Sequence, residues 1–308
     1  MPRKFHPLSE TGKASVALYE NYLRTEVDMQ PATIRNYVAD VVLFAAWCEA
    51  TWSDGVETAV LFEPEQVVTP TIVQYRTYLQ TGLKLKPATI NRALISIRGY
   101  LDWALDIHLI QRNPAKPVKP IPQTQQPVHH LTDKEEAALI RAVDAVNSLR
   151  DRTLIVLMLH AGLRVGEVRT LTRDQIELGK NTGGLQIIGK RNKHRFVPLN
   201  ATARAVLREY LPTLPEYMIY LFPSEKTEGA LGERMVQLII KKYAAIANIK
   251  DLTPHDLRHR FGYRLAEANV PIHRIAQMMG HDSYNTTMIY VKGTDADLQK
   301  AVEQLAYE

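Results

Sequence analysis

A proline-rich stretch at residues 111–130, QRNPAKPVKPIPQTQQPVHH, divides this 308-residue chain into two parts. It contains five prolines, and their fixed φ and missing N–H group exclude a continuous helix. Apolar periodicity is almost absent from it, so the stretch predicts a semi-extended linker. Because the chain is long for one ordinary domain, we expect one domain before residue 111 and a second domain after residue 130.

The first part of the chain has the apolar spacing of helices. Apolar side chains recur three and four positions apart across residues 16–23 and again after Pro31, Thr69 and Pro87. Thr33 is the expected N-cap of the helix that follows Pro31. The pattern predicts an all-helical domain.

The second part combines helices with a β-hairpin. Thr132 and Glu135 have the spacing of a capping box, and residues 149–161 are apolar almost all round, which predicts a buried helix ending at Gly162. Residues 185–188 and 195–199 then read as two strands joined by a basic turn. The sequence therefore predicts a mainly α fold with a small antiparallel sheet in the second domain.

Composition narrows the class of protein without identifying it. The net charge of +5 and the isoelectric point near 9.1 are compatible with a polyanionic partner but do not require one. A single cysteine, Cys48, excludes an internal disulfide, and its apolar surroundings predict a core position. The first residues lack the apolar stretch of a secretory signal, so we expect a cytoplasmic protein.

Basic residues concentrate around the predicted hairpin, with no acid among them. A run of this kind is usually a solvated turn, and at a hairpin tip it also suits contact with a phosphate backbone. The residues of this basic run are Lys180, Lys190, Arg191, Lys193 and Arg195.

Three separated segments contain the side chains that phosphodiester chemistry requires. They are AGLRVGEVRTL at 161–171, IIGKRNKHRFVPL at 187–199, and the run from TPHDLRHRF at 253 to GHDSYNTTMIY ending at 290. Arginines can clamp the non-bridging oxygens of a phosphate, and a lysine or histidine can protonate a departing alkoxide. A tyrosine hydroxyl, with an ordinary pKa of about 10, becomes a nucleophile only beside a base or concentrated positive charge.

These segments resemble the conserved boxes of the tyrosine recombinases, the phage integrase and Xer family. GLRVGEV, GKRNKHR followed by PL, PHDLRH and MGHDSYNTTMIY occur in the family's order and at closely similar intervals. The resemblance implies a helical, SAM-like core-binding domain that binds DNA at residues 12–110, the linker at 111–130 and an α+β tyrosine recombinase catalytic domain at 131–308. It also implies a site-specific recombinase that uses no metal ion, ATP or other cofactor.

The resemblance assigns a role to each matching residue of the first two segments. Arg164 and Arg258 would bind the scissile phosphate, and Lys190 would be the general acid for the leaving 5′ oxygen. Two positions depart from the family pattern: Arg191 stands where glycine is common, and Arg260 stands where serine or threonine is common. We expect both changes to add positive charge near the DNA.

The remaining roles concern the nucleophile and its neighbours. Tyr290 would form a 3′-phosphotyrosyl bond with the DNA. His255 would serve in proton transfer with the tyrosine and would be held by Glu167, the acidic position three residues after the first arginine. His281 would hydrogen-bond the phosphate.

Three other readings stay open at this point. His255 and His259 are four apart on a helix, as in a zinc pair, although Asp256 stands where metalloproteases have glutamate. A catalytically silent DNA-binding regulator would have lost the tyrosine or an arginine, and none is lost. A type IB topoisomerase shares the tyrosine chemistry but relaxes supercoils. The sequence does not separate integration from transposon, chromosome or plasmid resolution, and it does not identify an accessory partner.

The tail after Tyr290 predicts a short helix with an apolar stripe formed by Leu298, Ala301, Val302 and Leu305. A helix of about three turns is marginal alone, so it needs a surface to pack on, either on its own domain or on a second copy. The family resemblance favours the second copy, and implies a homotetramer on two synapsed stretches of double-stranded DNA.

Overall fold

The structure, a computed structural model, divides into two compact units, Met1–Gln126 and Pro127–Glu308. The division falls within the proline-rich stretch. The described residues are 7–123, 131–189, 194–227, 229–281, 284–290 and 302–303, and for residues 284 and 285 only the backbone is described.

The first unit packs helices around an aromatic core. Its helices are α1 Glu10–Thr25, α2 Pro31–Trp52, α3 Thr69–Thr77 and α4 Pro87–Asp106. The expected cap at Thr33 is wrong: α2 begins at Pro31 itself, after Gln30, because the fixed φ of proline suits the first helical position. Cys48 is fully buried, which confirms it as a core residue, and burial raises the pKa of its thiol.

Residues 111–123 belong to the first unit and pack against its helix α4 instead of extending freely. Arg98 on α4 donates to the carbonyl of Val118 at 3.1 Å. The amide of Asn91 donates to the carbonyl of Ile121 at 2.9 Å and accepts from its N–H at 2.8 Å. The side chains of Asn91 and Arg98 thus provide hydrogen-bond partners for backbone groups of this segment, which cannot form a helix because of its prolines.

The second unit contains the helices and the sheet that position the candidate site. Its helices are α5 Asp133–Val146, α6 Leu149–Ala161, α7 Val165–Arg169, α8 Ala201–Tyr210, α9 Glu233–Ile246, α10 Pro254–Glu267, α11 Ile272–Met279 and α12 Tyr284–Thr287. The Thr132–Glu135 capping box and the buried helix α6 are confirmed. α6 ends at Gly162 in the left-handed conformation, with φ +60°, where a Cβ would lie 2.3 Å from the ring of Phe261.

The sheet has the order β1-β2-β3 and is antiparallel, with strands β1 Ile176–Leu178, β2 Gly183–Ile188 and β3 His194–Pro198. Ile187 pairs directly with Arg195, and Ile187 is buried. Opposite residues in an antiparallel pair lie on the same face, so Arg195 is directed toward the interior of the unit. The predicted hairpin is confirmed, and β1 is an additional strand.

Within the described part of the chain, no helix is long and apolar enough to cross a membrane. Val302 of the predicted tail stripe is helical and 62% exposed, whereas Leu298, Ala301 and Leu305 lie outside the described residues.

Candidate active site

The carboxylate of Glu167 is the centre of a cluster of arginines. Arg195 forms a two-pronged ion pair with it, Nη1 to Oε1 at 2.8 Å and Nη2 to Oε2 at 2.9 Å. Arg164 donates its backbone N–H to Oε2 at 2.7 Å and its Nη1 to Oε1 at 2.9 Å, and Arg258 Nη1 lies 3.8 Å from Oε2. Burial alone would raise the pKa of Glu167, but the hydrogen bonds and charges of Arg195 and Arg164 lower it to about 2.

The same three arginines hold the C-terminal end of α11. Each donates to one of three successive carbonyls: Arg195 Nε to Met278 at 3.0 Å, Arg258 Nη2 to Met279, and Arg164 Nη2 to Gly280 at 2.5 Å. Cations suit this position because the last carbonyls of a helix have no partner within the helix and carry its negative dipole end. His281, the next residue along the chain, is thereby fixed beside the arginines.

Arg164 and Arg258 differ in exposure. The side chain of Arg164 is 42% exposed, whereas that of Arg258 is 2% exposed and also donates to the carbonyl of Gly162 at 2.5 Å. Burial and the charge of Arg164 lower the pKa of Arg258 to about 10, so it is still a cation at neutral pH. A guanidinium has five N–H donors, and the two carbonyls engage only some of those of Arg258.

Tyr290 lies in a buried niche formed by α10. Its hydroxyl is hydrogen-bonded to His259 Nδ1 at 2.8 Å, and its ring meets that of Tyr263 edge to face at 5.1 Å. The ring lies directly over Gly262, where a Cβ would be 2.7 Å from Cζ. Burial raises the pKa of Tyr290 to about 12 although the nearby charge of Arg258 opposes the shift. The tyrosine is therefore protonated at neutral pH.

Three histidines surround the tyrosine. Burial and neighbouring His255 lower the pKa of His259 to about 4. Burial and the charges of Arg258 and Arg164 also lower the pKa of His281 to about 4, and its Nδ1 lies 2.8 Å from the hydroxyl of buried Thr287. His255 is exposed, and its ring meets that of His259 edge to face at 4.1 Å.

The expectation that Glu167 holds His255 is wrong. Within the described residues no hydrogen bond joins the two, because both oxygens of Glu167 accept from Arg164 and Arg195. The structure still brings six of the expected site residues into one region of the second unit, and Lys190 lies outside the described residues. The six are Arg164, Glu167, His255, Arg258, His281 and Tyr290.

Two residues of this region, Arg195 and His259, were not predicted from the sequence as part of the site. Arg195 was counted with the exposed basic run, although its position two residues from buried Val197 on a strand places it on the inner face. His259 was considered only as half of a zinc pair, although its place one turn after His255 puts both on the face that carries the site.

Arg260 does not add charge near the DNA, and that expectation is also wrong. Its side chain is 2% exposed and its Nε lies 2.7 Å from Glu136 on α5, while Nη2 pairs with Asp133. Arg264 shares Glu136 at 2.7 Å. The position faces α5, so the arginine joins α10 to α5 and its charge is neutralised there.

A buried tyrosine hydroxyl held by an imidazole, beside paired guanidiniums, suits attack on a phosphodiester and stabilisation of the charge that develops on it. Fold and site together define a tyrosine-type DNA strand transferase.

Comparison with known proteins identifies the family. The model of the phage integrase family matches residues 129–297. The tyrosine recombinase XerC of Xanthomonas axonopodis pv. citri is 29% identical over 286 residues, 90% of this chain and 91% of the relative. The tyrosine recombinase XerD of Corynebacterium glutamicum is 28% identical over 293 residues, 91% of this chain and 93% of the relative. The chain belongs to the phage integrase family and is a tyrosine recombinase of the Xer type, which acts in site-specific recombination.

Solved structures share the fold. The XerH site-specific recombinase bound to its difH substrate, in a pre-cleavage complex, superimposes with a TM-score of 0.71 at 20% identity, covering 96% of this chain and 90% of XerH. The Tn1549 transposon integrase (residues 82–397) in complex with transposon right end DNA gives a TM-score of 0.74 at 17% identity, covering 95% of this chain and 99% of that fragment.

Proposed function

We propose that this chain cuts and rejoins double-stranded DNA at specific sites through a covalent 3′-phosphotyrosyl bond to Tyr290. The observation that carries the proposal is the buried hydroxyl of Tyr290, hydrogen-bonded to a histidine and close to the charge of Arg258. The covalent bond conserves the energy of the broken phosphodiester, so rejoining needs no ATP.

In this mechanism Arg164 and Arg258 clamp the non-bridging oxygens of the scissile phosphate and stabilise the pentacoordinate transition state. Glu167 keeps the two guanidiniums in place, since it binds Arg164 directly and lies within ion-pair distance of Arg258. His281, fixed at the end of α11, donates a hydrogen bond to the phosphate from Nε2. Lys190 protonates the leaving 5′ oxygen.

His255 is the most exposed of the three histidines around the tyrosine. It is exposed, and burial of part of its ring and the charge of Arg258 lower its pKa, so it is neutral at pH 7 or above. It can contact the phosphate of bound DNA and exchange a proton through His259, whose ring it touches.

The first unit is proposed to be the core-binding domain, at residues 12–110, and residues 131–308 the catalytic domain. The XerH and Tn1549 structures contain DNA, which supports double-stranded DNA as the partner of this chain. We further propose action in the cytoplasm as a homotetramer on two synapsed sites, with an accessory protein where the process requires one.

The tail is the segment that would join the protomers, since exposed Val302 belongs to its predicted apolar stripe. Replacing Leu298 and Leu305 with glutamate should leave binding to a single site intact and abolish the synaptic complex in a gel-shift experiment. An unchanged synaptic band would indicate that the tail packs on its own domain and not on a second copy.

Substitution of the nucleophile tests the proposal directly. Tyr290→Phe should bind its DNA site but form no covalent adduct, because only the hydroxyl is lost. The measurement is a denaturing gel after incubation with a suicide substrate, in which the cleaved strand cannot be rejoined. Tyr217→Phe is the matched control, because Tyr217 lies on the same unit and is 70% exposed. A protein–DNA adduct that persists in Tyr290→Phe would contradict the assignment.

A further inference from the structure

The acceptor of the tyrosine proton is the missing part of this mechanism. Tyr290 is protonated at neutral pH, so its hydroxyl must lose a proton as it attacks phosphorus. We propose that His259 is the general base that takes this proton through Nδ1 and returns it when the strand is rejoined. The proposal rests on the proposed role of Tyr290 as the nucleophile.

The geometry of α10 brings His259 to the tyrosine oxygen. His259 and Gly262 are three residues apart on the helix, so both lie on the face toward Tyr290. The ring of Tyr290 packs over Gly262, where a side chain would collide with it, and the hydroxyl then reaches His259 Nδ1 at 2.8 Å. Both side chains are buried, with 6% of each residue exposed. This distance is within the range required of a general base.

The charges around His259 keep its imidazole neutral and able to accept a proton. On α10, burial and the neighbours His255 and Arg258 lower its pKa to about 4, and Asp256 opposes the shift. Tyr263 also lies on α10, and from the other elements the titratable groups that face this part of the site are His281 and Tyr290. Neutral imidazole accepts at one nitrogen only, so acceptance at Nδ1 places the remaining proton on Nε2.

Bound DNA strengthens this base. The scissile phosphodiester brings a negative charge to Arg164 and Arg258, and Arg258 is one of the cations that depress the pKa of His259. Partial neutralisation of that charge raises the basicity of the imidazole. At the same time the acidity of the phenol increases as its oxygen begins to bond to phosphorus, so the two proton affinities approach each other in the transition state.

The step balances without any other reactant. The Tyr290 oxygen forms a bond to phosphorus, and its proton passes to His259 Nδ1. The bond between phosphorus and the 5′ oxygen breaks, and the leaving oxygen takes a proton from the general acid Lys190. Rejoining reverses each transfer: the 5′ hydroxyl returns its proton to Lys190, and the protonated His259 returns the other to the departing tyrosine.

His255 does not fill this place. It is exposed, and the tyrosine hydroxyl is hydrogen-bonded to Nδ1 of His259 instead. The ring of His255 lies against that of His259 instead, which makes it a neighbour of the base.

Two substitutions separate proton transfer from packing. In His259→Asn the side-chain amide occupies the place of Nδ1, so it can keep a hydrogen bond to Tyr290 but cannot accept the proton. We expect single-turnover cleavage of a suicide substrate at pH 7 to fall by about 10²- to 10⁴-fold, the usual contribution of general base catalysis. His273→Asn is the matched control, because His273 is exposed on α11. Gel shift should show unchanged DNA binding in both variants.

The pH dependence gives a readout that packing would not move. Without a base, the reaction depends on the fraction of tyrosine already ionised, and with a pKa of about 12 that fraction rises about tenfold per pH unit. We therefore expect the cleavage rate of His259→Asn to rise about tenfold per unit between pH 7 and 9, while the unsubstituted protein stays nearly flat. Replacing Tyr290 with a fluorinated, more acidic tyrosine should partly restore His259→Asn.

Several results would overturn the proposal. A rate for His259→Asn within about threefold of the unsubstituted protein would exclude His259 as the base, and so would a slow rate that responds neither to pH nor to fluorotyrosine. If the variant fails to fold, the unsubstituted protein still decides the matter. With a 5′-bridging phosphorothiolate the leaving group needs no proton, so a solvent deuterium isotope effect reports the tyrosine proton alone, and a ratio near one refutes general base catalysis.

Failure of this proposal is distinguishable from failure of the proposed function. If Tyr290→Phe forms no adduct while His259→Asn forms one at the normal rate, Tyr290 remains the nucleophile and His259 is not its base. If Tyr290→Phe forms an adduct, the proposed function itself is wrong.

Discussion

Replacing Glu167 with glutamine tests whether this carboxylate holds the arginine cluster together. Glutamine keeps the size of the side chain and one acceptor oxygen but removes the charge that Arg195 and Arg164 surround. The arginines then repel one another in a site where Glu167 and Arg195 are each 9% exposed. Removing one partner of a buried ion pair is strongly destabilising, because the other partner remains as an unpaired charge in a site shielded from water.

The pKa of Glu167 sets the size of the effect. Lowering it from the ordinary value of 4.5 to about 2 corresponds to about 3 kcal/mol of stability at neutral pH. Because the pKa is lower in the folded protein, this stability is present above pH 4.5 and is lost as the pH falls toward 2. We expect Glu167→Gln to be about 3 kcal/mol less stable at pH 7, and the gap to shrink to about half by pH 3.

Urea denaturation measures this difference without the screening that an ionic denaturant adds. For an m-value of about 2 to 3 kcal/mol/M, the midpoint at pH 7 should fall by about 1 to 1.5 M. The three tryptophans, Trp47, Trp52 and Trp103, all lie in the first unit, so their fluorescence follows that unit alone. Circular dichroism reports the unfolding of both units. The lower midpoint of Glu167→Gln should therefore appear in the dichroism transition of the second unit and not in the fluorescence transition.

Glu177→Gln is the matched control, since Glu177 is an exposed carboxylate on β1 of the same unit. Its midpoint should stay within about 0.2 M of the unsubstituted protein, as is usual for a surface substitution. The reasoning is refuted if Glu167→Gln leaves the dichroism midpoint unchanged at pH 7. It is equally refuted if the gap between the two proteins stays constant from pH 7 to pH 3.

Two further substitutions test the general acid and the niche of the tyrosine. Lys190→Ala should slow cleavage of ordinary DNA by about 10²- to 10⁴-fold. A substrate with a 5′-bridging phosphorothiolate, whose leaving group needs no proton, should restore cleavage by Lys190→Ala but not by Arg164→Ala. Equal defects of Lys190→Ala on both substrates would show that Lys190 is not the general acid. Gly262→Ala should displace the ring of Tyr290, which a Cβ would approach to 2.7 Å, and reduce adduct formation at least about tenfold with DNA binding retained. Gly166→Ala is its control, because no atom lies within 4 Å of a Cβ there, and a normal adduct yield in Gly262→Ala would show that the ring adapts.

Local features of the fold were predictable where the sequence contains the physical cause. The capping box at Thr132, the buried helix α6 and the β2–β3 hairpin follow from side chains close together in sequence. β1 has three residues, which is too short for an alternating pattern to be recognised. The packing of residues 111–123 was also not predictable, because it depends on Asn91 and Arg98, whose contacts with this segment are a tertiary feature.

The site shows the same division between local and tertiary information. The sequence identified the residue types that attack a phosphodiester, but a charge in a sequence does not reveal its partner. Arg195 meets Glu167 from 28 positions away, and Arg260 meets Glu136 from 124 positions away. Both arginines were expected to lie near DNA, but both side chains are largely enclosed and paired with carboxylates, so the charge available to the phosphate comes from fewer residues than the sequence suggests.

The identity of the base also depends on a contact between residues far apart in sequence. His255 and His259 share one face of α10, so helical spacing alone does not show which of them contacts the tyrosine hydroxyl. Tyr290 comes 31 residues after His259, and its approach is fixed by the bare backbone of Gly262 and by the arginines that hold α11. The position in which the chain places Tyr290 against α10 therefore selects His259 as the base. A substitution at Gly262 or at the end of α11 that shifts Tyr290 should alter proton transfer although both histidines are retained.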